Sequence, residues 1–180
     1  MIHGSPHQMS DGTPSRAGAR KGDSMPVSKS ENTSGSVTKR LQQELMSMMQ
    51  NDDGQVSAFP NGDSLFNWIG TIKGPADTVF EGLTFKLSLK FTEEYPFKAP
   101  VVKFVTGCFH PNVDTEGNIC LDILKEKWSA AYSVKSILQS IQSLLGDANV
   151  DSPLNSYAAK LWEMGNEEEY RALAVKMHAS

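Results

Sequence analysis

The chain has 180 residues, a net charge of −4 from 17 Lys+Arg against 21 Asp+Glu, and a hydrophobic fraction of 39%. That is room for one ordinary domain with a packed core and a tail. The acidic balance argues against a nucleic-acid binder, which needs a basic excess to meet phosphates, and no apolar run approaches the ~18 residues of a membrane span.

Residues 1–36 hold eight Ser, five Gly and three Pro, no aromatic residue, and only Ile2 and Val27 as branched aliphatic side chains. Such a segment buries too little apolar surface to offset its ordering entropy, so it reads as a disordered extension. It also lacks the apolar stretch of a signal peptide. Order is expected from Ser36, read as an N-cap. Val37, Leu41, Leu45, Met48 and Met49 follow at helical spacing, with Lys39, Arg40 and Gln43 on the other face. Residues 56–59, a turn at 60–63 and residues 65–73 predict a β-hairpin. A third strand alternates Leu83, Phe85, Leu87, Leu89 and Phe91 against Thr84, Lys86, Ser88 and Lys90. After a loop bracketed by Pro96 and Pro100, residues 101–105 complete an antiparallel four-stranded meander. Periodicity disappears from 107 to 132, and a loop of about 25 residues in a compact domain is rare unless functional. Val134, Ile137, Leu138, Ile141, Leu144 and Leu145 predict a helix stopped by Gly146, and residues 157–164 another. Asn166 with Glu169 reads as a capping box opening a last helix through Met177. The expected fold class is α+β, with helices packed on one face of the sheet.

Two cysteines make no disulfide framework and point to a reducing setting. Of four histidines only His110 lies away from the termini, so a multi-histidine metal site lacks ligands. No GxxxxGK[ST] phosphate loop occurs, and nucleotide hydrolysis is not expected. Both cysteines and His110 fall in the long aperiodic segment, where the residues alone leave three readings open. A zinc site would use Cys108, His110 and Cys120 with Asp114 or Asp122, at spacings that match no common zinc pattern. A Cys–His hydrolase would pair Cys120 with His110. The third reading is a pair of inert core cysteines.

His110-Pro111-Asn112, with Cys120 eight residues later and then Leu121-Asp122-Ile123-Leu124 and Trp128, resembles the active-site signature of ubiquitin-conjugating enzymes. Tyr95-Pro96-Phe97-Lys98-Ala99-Pro100 resembles the loop before that family's fourth strand, and Asp151-Ser152-Pro153-Leu154-Asn155 its loop beside the cysteine. The likeness spans residues 37–178. Residues 39–46, 119–129 and 140–146 further resemble the subtype, type C, that works with the anaphase-promoting complex and carries a Ser/Gly/Pro-rich N-terminal extension.

The resemblance implies a fold of N-terminal helix, four-stranded meander, long active-site loop and C-terminal helices, and a catalytic domain over residues 37–178. It implies that Cys120 accepts ubiquitin as a thioester from an activating enzyme, which performs the ATP chemistry, and that no cofactor or metal is bound. Asn112 would stabilise an oxyanion or hold the loop. Asp151, Ser152 and Asp122 would form the acceptor-lysine environment, although the family often has Asp where Ser152 stands. His110 and Pro111 are carried over as structural. Lys39, Arg40, Gln43, Phe97, Ser129, Ala130 and Ala131 correspond to surfaces for a RING-type ligase and the activating enzyme, with Phe97 either an interface anchor or a core plug. A monomer acting in cell-cycle protein degradation, in cytoplasm and nucleus, is the corresponding expectation. Two alternatives share the fold. A carrier for another modifier is disfavoured because Asp114 stands where SUMO-specific members have Tyr, and a non-catalytic ubiquitin-binding variant would lack the cysteine. One departure concerns the subtype's Arg-x-x-Leu degradation signal: this chain has Lys135-Ser136-Ile137-Leu138, which keeps the charge but not the planar fork.

Overall fold

The computed structural model describes the backbone of residues 29–180 and the side chains from residue 35 onward. Helix α1 (Lys29–Met49) is followed by strands β1 (Val56–Pro60), β2 (Asn67–Lys73), β3 (Thr84–Lys90) and β4 (Val101–Phe104). A single 3₁₀ turn (Asp122–Leu124) interrupts the long connection to α2 (Val134–Gly146), α3 (Ser156–Glu163) and α4 (Glu167–His178). The strands pair antiparallel in chain order, β1-β2-β3-β4. This is the α+β architecture expected from the sequence.

Strand periodicity decides the inner face. Val56 and Ala58, Trp68 and Ile72, Phe85, Leu87 and Leu89, and Val102 and Phe104 all point into the core. Helix α2 lies across β1 and β2 and presents Val134, Ile137, Leu138, Ile141 and Leu145 to them, while α1 packs against β1 and α2. Each fully buried aliphatic side chain of this kind contributes about 1.5–3 kcal/mol, so the sheet–α2 layer is the rigid base of the molecule. An aromatic cluster of Phe80, Phe109, Trp162 and Tyr170 joins α3 and α4 to the segment after β4.

Three local expectations are corrected. Helix α1 begins at Lys29, so Ser36 lies inside it and caps nothing. Ser and Gly disfavour a helix interior by only about 0.5–1 kcal/mol each, and extending a helix already nucleated by an amphipathic segment is cheap. Of the disordered extension predicted for residues 1–36, residues 29–36 are instead part of α1, and residues 1–28 lie outside the described residues. Strand β2 starts at Asn67, because Phe66 N–H bonds to Ser64 Oγ and the Trp68 indole N–H to Leu65 O, which keeps Leu65 and Phe66 in the turn. At α4, Asn166 Oδ1 accepts from Glu169 N–H as expected, but the Glu169 carboxylate returns to Asn166 Nδ2 and not to its backbone N–H.

Candidate active site

Beyond β4 the chain leaves the sheet and is held by isolated bridges between Lys103 and Asn118, His110 and Val113, and Val113 and Ile119. Buried Phe109, Val113 and Ile119 anchor this segment to the core. Its turn is organised by Asp114, whose carboxylate accepts from Glu116 N–H, Asn118 N–H and the Asn118 side-chain amide. The Asn118 amide beside it holds the Asp114 carboxyl below the usual carboxylate range. Gly117 closes the turn at φ 79°, and a Cβ there would sit 2.2 Å from Phe104 O, so both conformation and space require glycine.

His110 is fully buried and has both ring nitrogens engaged. Nδ1 accepts from Asn112 N–H at 2.9 Å, which makes Nε2 the protonated nitrogen that donates to Leu144 O at 2.8 Å. Burial pushes its pKa down to about 4. An imidazole so committed is available neither as a zinc ligand nor as a base for Cys120, and both alternative readings of the segment fail on that observation. The imidazole instead ties the motif to the end of α2.

Asn112, 1% exposed, performs the next tie. Its Nδ2 donates to Asn149 O at 2.6 Å and its Oδ1 accepts from Asn149 N–H at 2.8 Å. Pro111 O accepts from Leu154 N–H and Asn155 N–H at 2.8 and 3.1 Å. The segment 149–155, carrying exposed Asp151 and Ser152, is thereby strapped to the His110–Asn112 motif across a separation no local pattern reveals. Asn112 O in turn accepts from Cys120 N–H at 2.9 Å, so motif, cysteine and acceptor-side loop form one hydrogen-bonded unit.

The two thiols differ in surroundings. Cys108 is 4% exposed, and desolvation raises its pKa far above the ordinary thiol range. Cys120 is half-buried and open to solvent. Lys125 Nζ lies 3.8 Å from Cys120 Sγ. The 3₁₀ turn at Asp122–Leu124 folds Lys125 back to the thiol, a neighbour that no periodicity in this segment reveals. Asp122 accepts from Lys127 Nζ at 2.6 Å, and this partner keeps its carboxyl below the usual range. A shallow depression lined by Val101, Asn118, Ile119, Leu124, Lys125 and Leu154 lies beside this segment, and Lys125 is shared between it and the thiol.

The expected partner residues divide. Phe97 is 80% exposed, which removes the core-plug reading. Lys39, Gln43, Ser129 and Ala131 are exposed and Ala130 is half-buried. Arg40 is turned inward, with its guanidinium bonded to Glu44, Ala130 O and Tyr132 O.

A family model described as "Ubiquitin-conjugating enzyme" matches residues 40–178. The chain belongs to the ubiquitin-conjugating enzyme family. It is 54% identical over 144 residues to "Ubiquitin-conjugating enzyme E2-20 kDa" of Schizosaccharomyces pombe, covering 79% of this chain and 81% of that one. It is 49% identical over 132 residues to "Ubiquitin-conjugating enzyme E2 1" of Caenorhabditis elegans, with 73% and 68% covered. It is 47% identical over 138 residues to "Ubiquitin-conjugating enzyme E2 2" of Candida albicans, with 77% and 74% covered. Enzymes of this family transfer ubiquitin through a cysteine thioester and work with an activating enzyme and ligases.

Proposed function

We propose that this chain carries ubiquitin on Cys120. The observation that carries the assignment is the contrast between the two thiols: Cys120 is open and hydrogen-bonded into the motif, whereas Cys108 is sealed in the core. The Cys120 thiolate attacks the thioester carbonyl delivered by the activating enzyme and displaces that enzyme's thiolate. The neutral amine of an acceptor lysine then attacks the new thioester, the C–S bond breaks, the amine loses its proton, and an isopeptide remains. ATP is consumed by the activating enzyme, and this chain needs no cofactor of its own.

Both ends of the Asn112 side chain are engaged with Asn149, which supports a loop-holding role. The second hydrogen on Nδ2 is the donor left for an oxyanion. Asp151 and Ser152 on the strapped loop, with Asp122 two residues past the thiol, border the approach of the acceptor amine. Phe97, Lys39, Gln43 and residues 129–131 form the surface for a RING-type ligase. That ligase is the anaphase-promoting complex in this reading, supported by the resemblance of residues 39–46, 119–129 and 140–146 to its partner subtype. The corresponding setting is mitotic protein degradation in cytoplasm and nucleus.

Charging with activating enzyme, ATP and ubiquitin tests the nucleophile. Cys120→Ser is expected to trap ubiquitin as an oxyester resistant to thiol reagents, while Cys108→Ser charges like the parent. Ordinary thiol-sensitive charging of Cys120→Ser would sink the assignment. Purified anaphase-promoting complex is expected to accelerate chain formation by the parent and much less by Phe97→Ala.

A further inference from the structure

Glu44 is the one carboxylate buried among the described residues, at 4% exposure, and the chemistry above leaves it unused. Its Oε1 accepts from Arg40 Nε at 2.8 Å and from the Tyr95 hydroxyl at 3.1 Å, and its Oε2 accepts from Val134 N–H at 2.9 Å. Arg40 lies over the Tyr95 ring and donates onward to Ala130 O at 3.0 Å and Tyr132 O at 2.9 Å. Three stretches distant in the chain therefore converge on one carboxylate: α1, the proline-bounded loop holding Tyr95, and the residues that lead into α2. Trp128 ties the last two again, its indole N–H donating to Pro96 O at 2.8 Å.

Stability alone does not account for this arrangement. Desolvating an ion pair is costly, and apolar replacements of buried pairs are often neutral or stabilising. What a fully satisfied polar network supplies is a unique geometry. Phe97, two residues after Tyr95, and Ser129, Ala130 and Ala131, just ahead of Tyr132, all lie outside helices and strands. No strand ladder or helix sets the spacing between these two loops; the Glu44 network sets it together with the Trp128–Pro96 bond.

We propose that Glu44, together with Arg40 and Tyr95, is a positioning group that holds the Phe97 loop and the Ser129–Ala131 segment in the relative placement a ligase reads. The inference rests on the reading of those two loops as the ligase surface. Arg40 then acts on the partner through the loops it anchors, from inside the fold.

Glu44→Gln tests this at nearly constant volume, because the amide keeps one acceptor oxygen and cannot accept both from Val134 N–H and from Arg40 and Tyr95. The backbone amide resonances of Phe97 and Ala131 are expected to move. The concentration of anaphase-promoting complex that gives half-maximal discharge of preloaded ubiquitin is expected to rise roughly tenfold, while unassisted discharge to free lysine stays within about twofold. Tyr95→Phe removes one hydroxyl and leaves the ion pair, so it should shift the same readouts in the same direction by less, and it serves if Glu44→Gln folds poorly. Leu145→Ala, a core truncation at the far end of α2, should lower stability and leave the ligase titration at the parent value. Unmoved resonances, an unmoved titration, or an equal titration shift in Leu145→Ala would overturn the proposal. A Phe97→Ala variant that titrates like the parent would instead overturn the ligase-surface reading. In that case displaced amide resonances still uphold the tether, and unmoved ones overturn it.

Discussion

His110 has Nδ1 accepting from Asn112 N–H and Nε2 donating to Leu144 O, so a proton added on acidification lands on Nδ1, where it faces a donor. Burial already disfavours the charged ring, and its pKa falls to about 4 against 6.5 for the free side chain. Its contribution to stability is complete above pH 6.5, where both states are neutral. It is lost as pH falls toward 4, because the unfolded chain takes up the proton first. Urea unfolding at pH 5 should therefore give a stability about 2 kcal/mol below that at pH 7, at 1.36 kcal/mol per unit over the 1.5 units below 6.5. A flat profile between these pH values would contradict the buried neutral ring. Asn112 offers the kinetic counterpart. Asn112→Ala removes both bonds to Asn149 and loosens the start of the segment 149–155, whose far end stays held by Pro111 O. Single-turnover discharge to free lysine should fall about 10²-fold, whereas loading from the activating enzyme, which brings its own groups, should fall less than about tenfold. Equal severe loss in both steps would mean that the motif itself has collapsed.

Helix α2 carries the largest element-scale role, since its buried face fills the sheet and its C-terminal carbonyl at Leu144 receives His110. It opens on a reciprocal cap: Ser133 Oγ accepts from Ser136 N–H at 3.1 Å, and Ser133 N–H donates to Ser136 Oγ at 2.8 Å. Ser133→Ala should cost about 1 kcal/mol and lower the melting temperature by about 2–4 °C. Charging of Cys120 should stay at the parent rate, because the cap touches no part of the motif. Thermal melts and a gel-based charging assay check the two halves. The cap was missed in the sequence because the usual signature has Glu or Gln at the third helical position, and here a second serine takes that place.

At the scale of the whole molecule, the buried hydrophobic residues that build the core start with Val37 on α1 and continue to Ala174 on α4. Residues 1–28 contain no aromatic side chain, and only Ile2 and Val27 are branched aliphatics. Deleting them while keeping α1 whole from Lys29 should move the melting temperature by less than about 3 °C and leave charging and unassisted discharge unchanged. Ligase-dependent chain formation by the same variant reports whether the tail acts on the partner. A melting loss of 10 °C or more would mean that the folded unit reaches further toward the N-terminus.

The strands, α2 and the meander order were legible in the chain because their information is local: alternation every second residue in β3, a 3.6-residue stripe in α2, and turn residues between strands. The motif around His110 and Cys120 was legible as a resemblance, and the open zinc, hydrolase and inert-thiol readings show that its spacing alone did not choose among chemistries. Tertiary structure decided the rest. Which thiol is accessible depends on burial, which desolvates Cys108 and leaves Cys120 at the surface. The Asn112–Asn149 and Glu44–Val134 bonds join residues far apart in sequence, and Arg40 looks like a solvated surface cation until its guanidinium is seen bonded to Ala130 O and Tyr132 O. Burial and long-range hydrogen bonding depend on what the fold brings alongside a residue, and no periodicity in the chain encodes that neighbour.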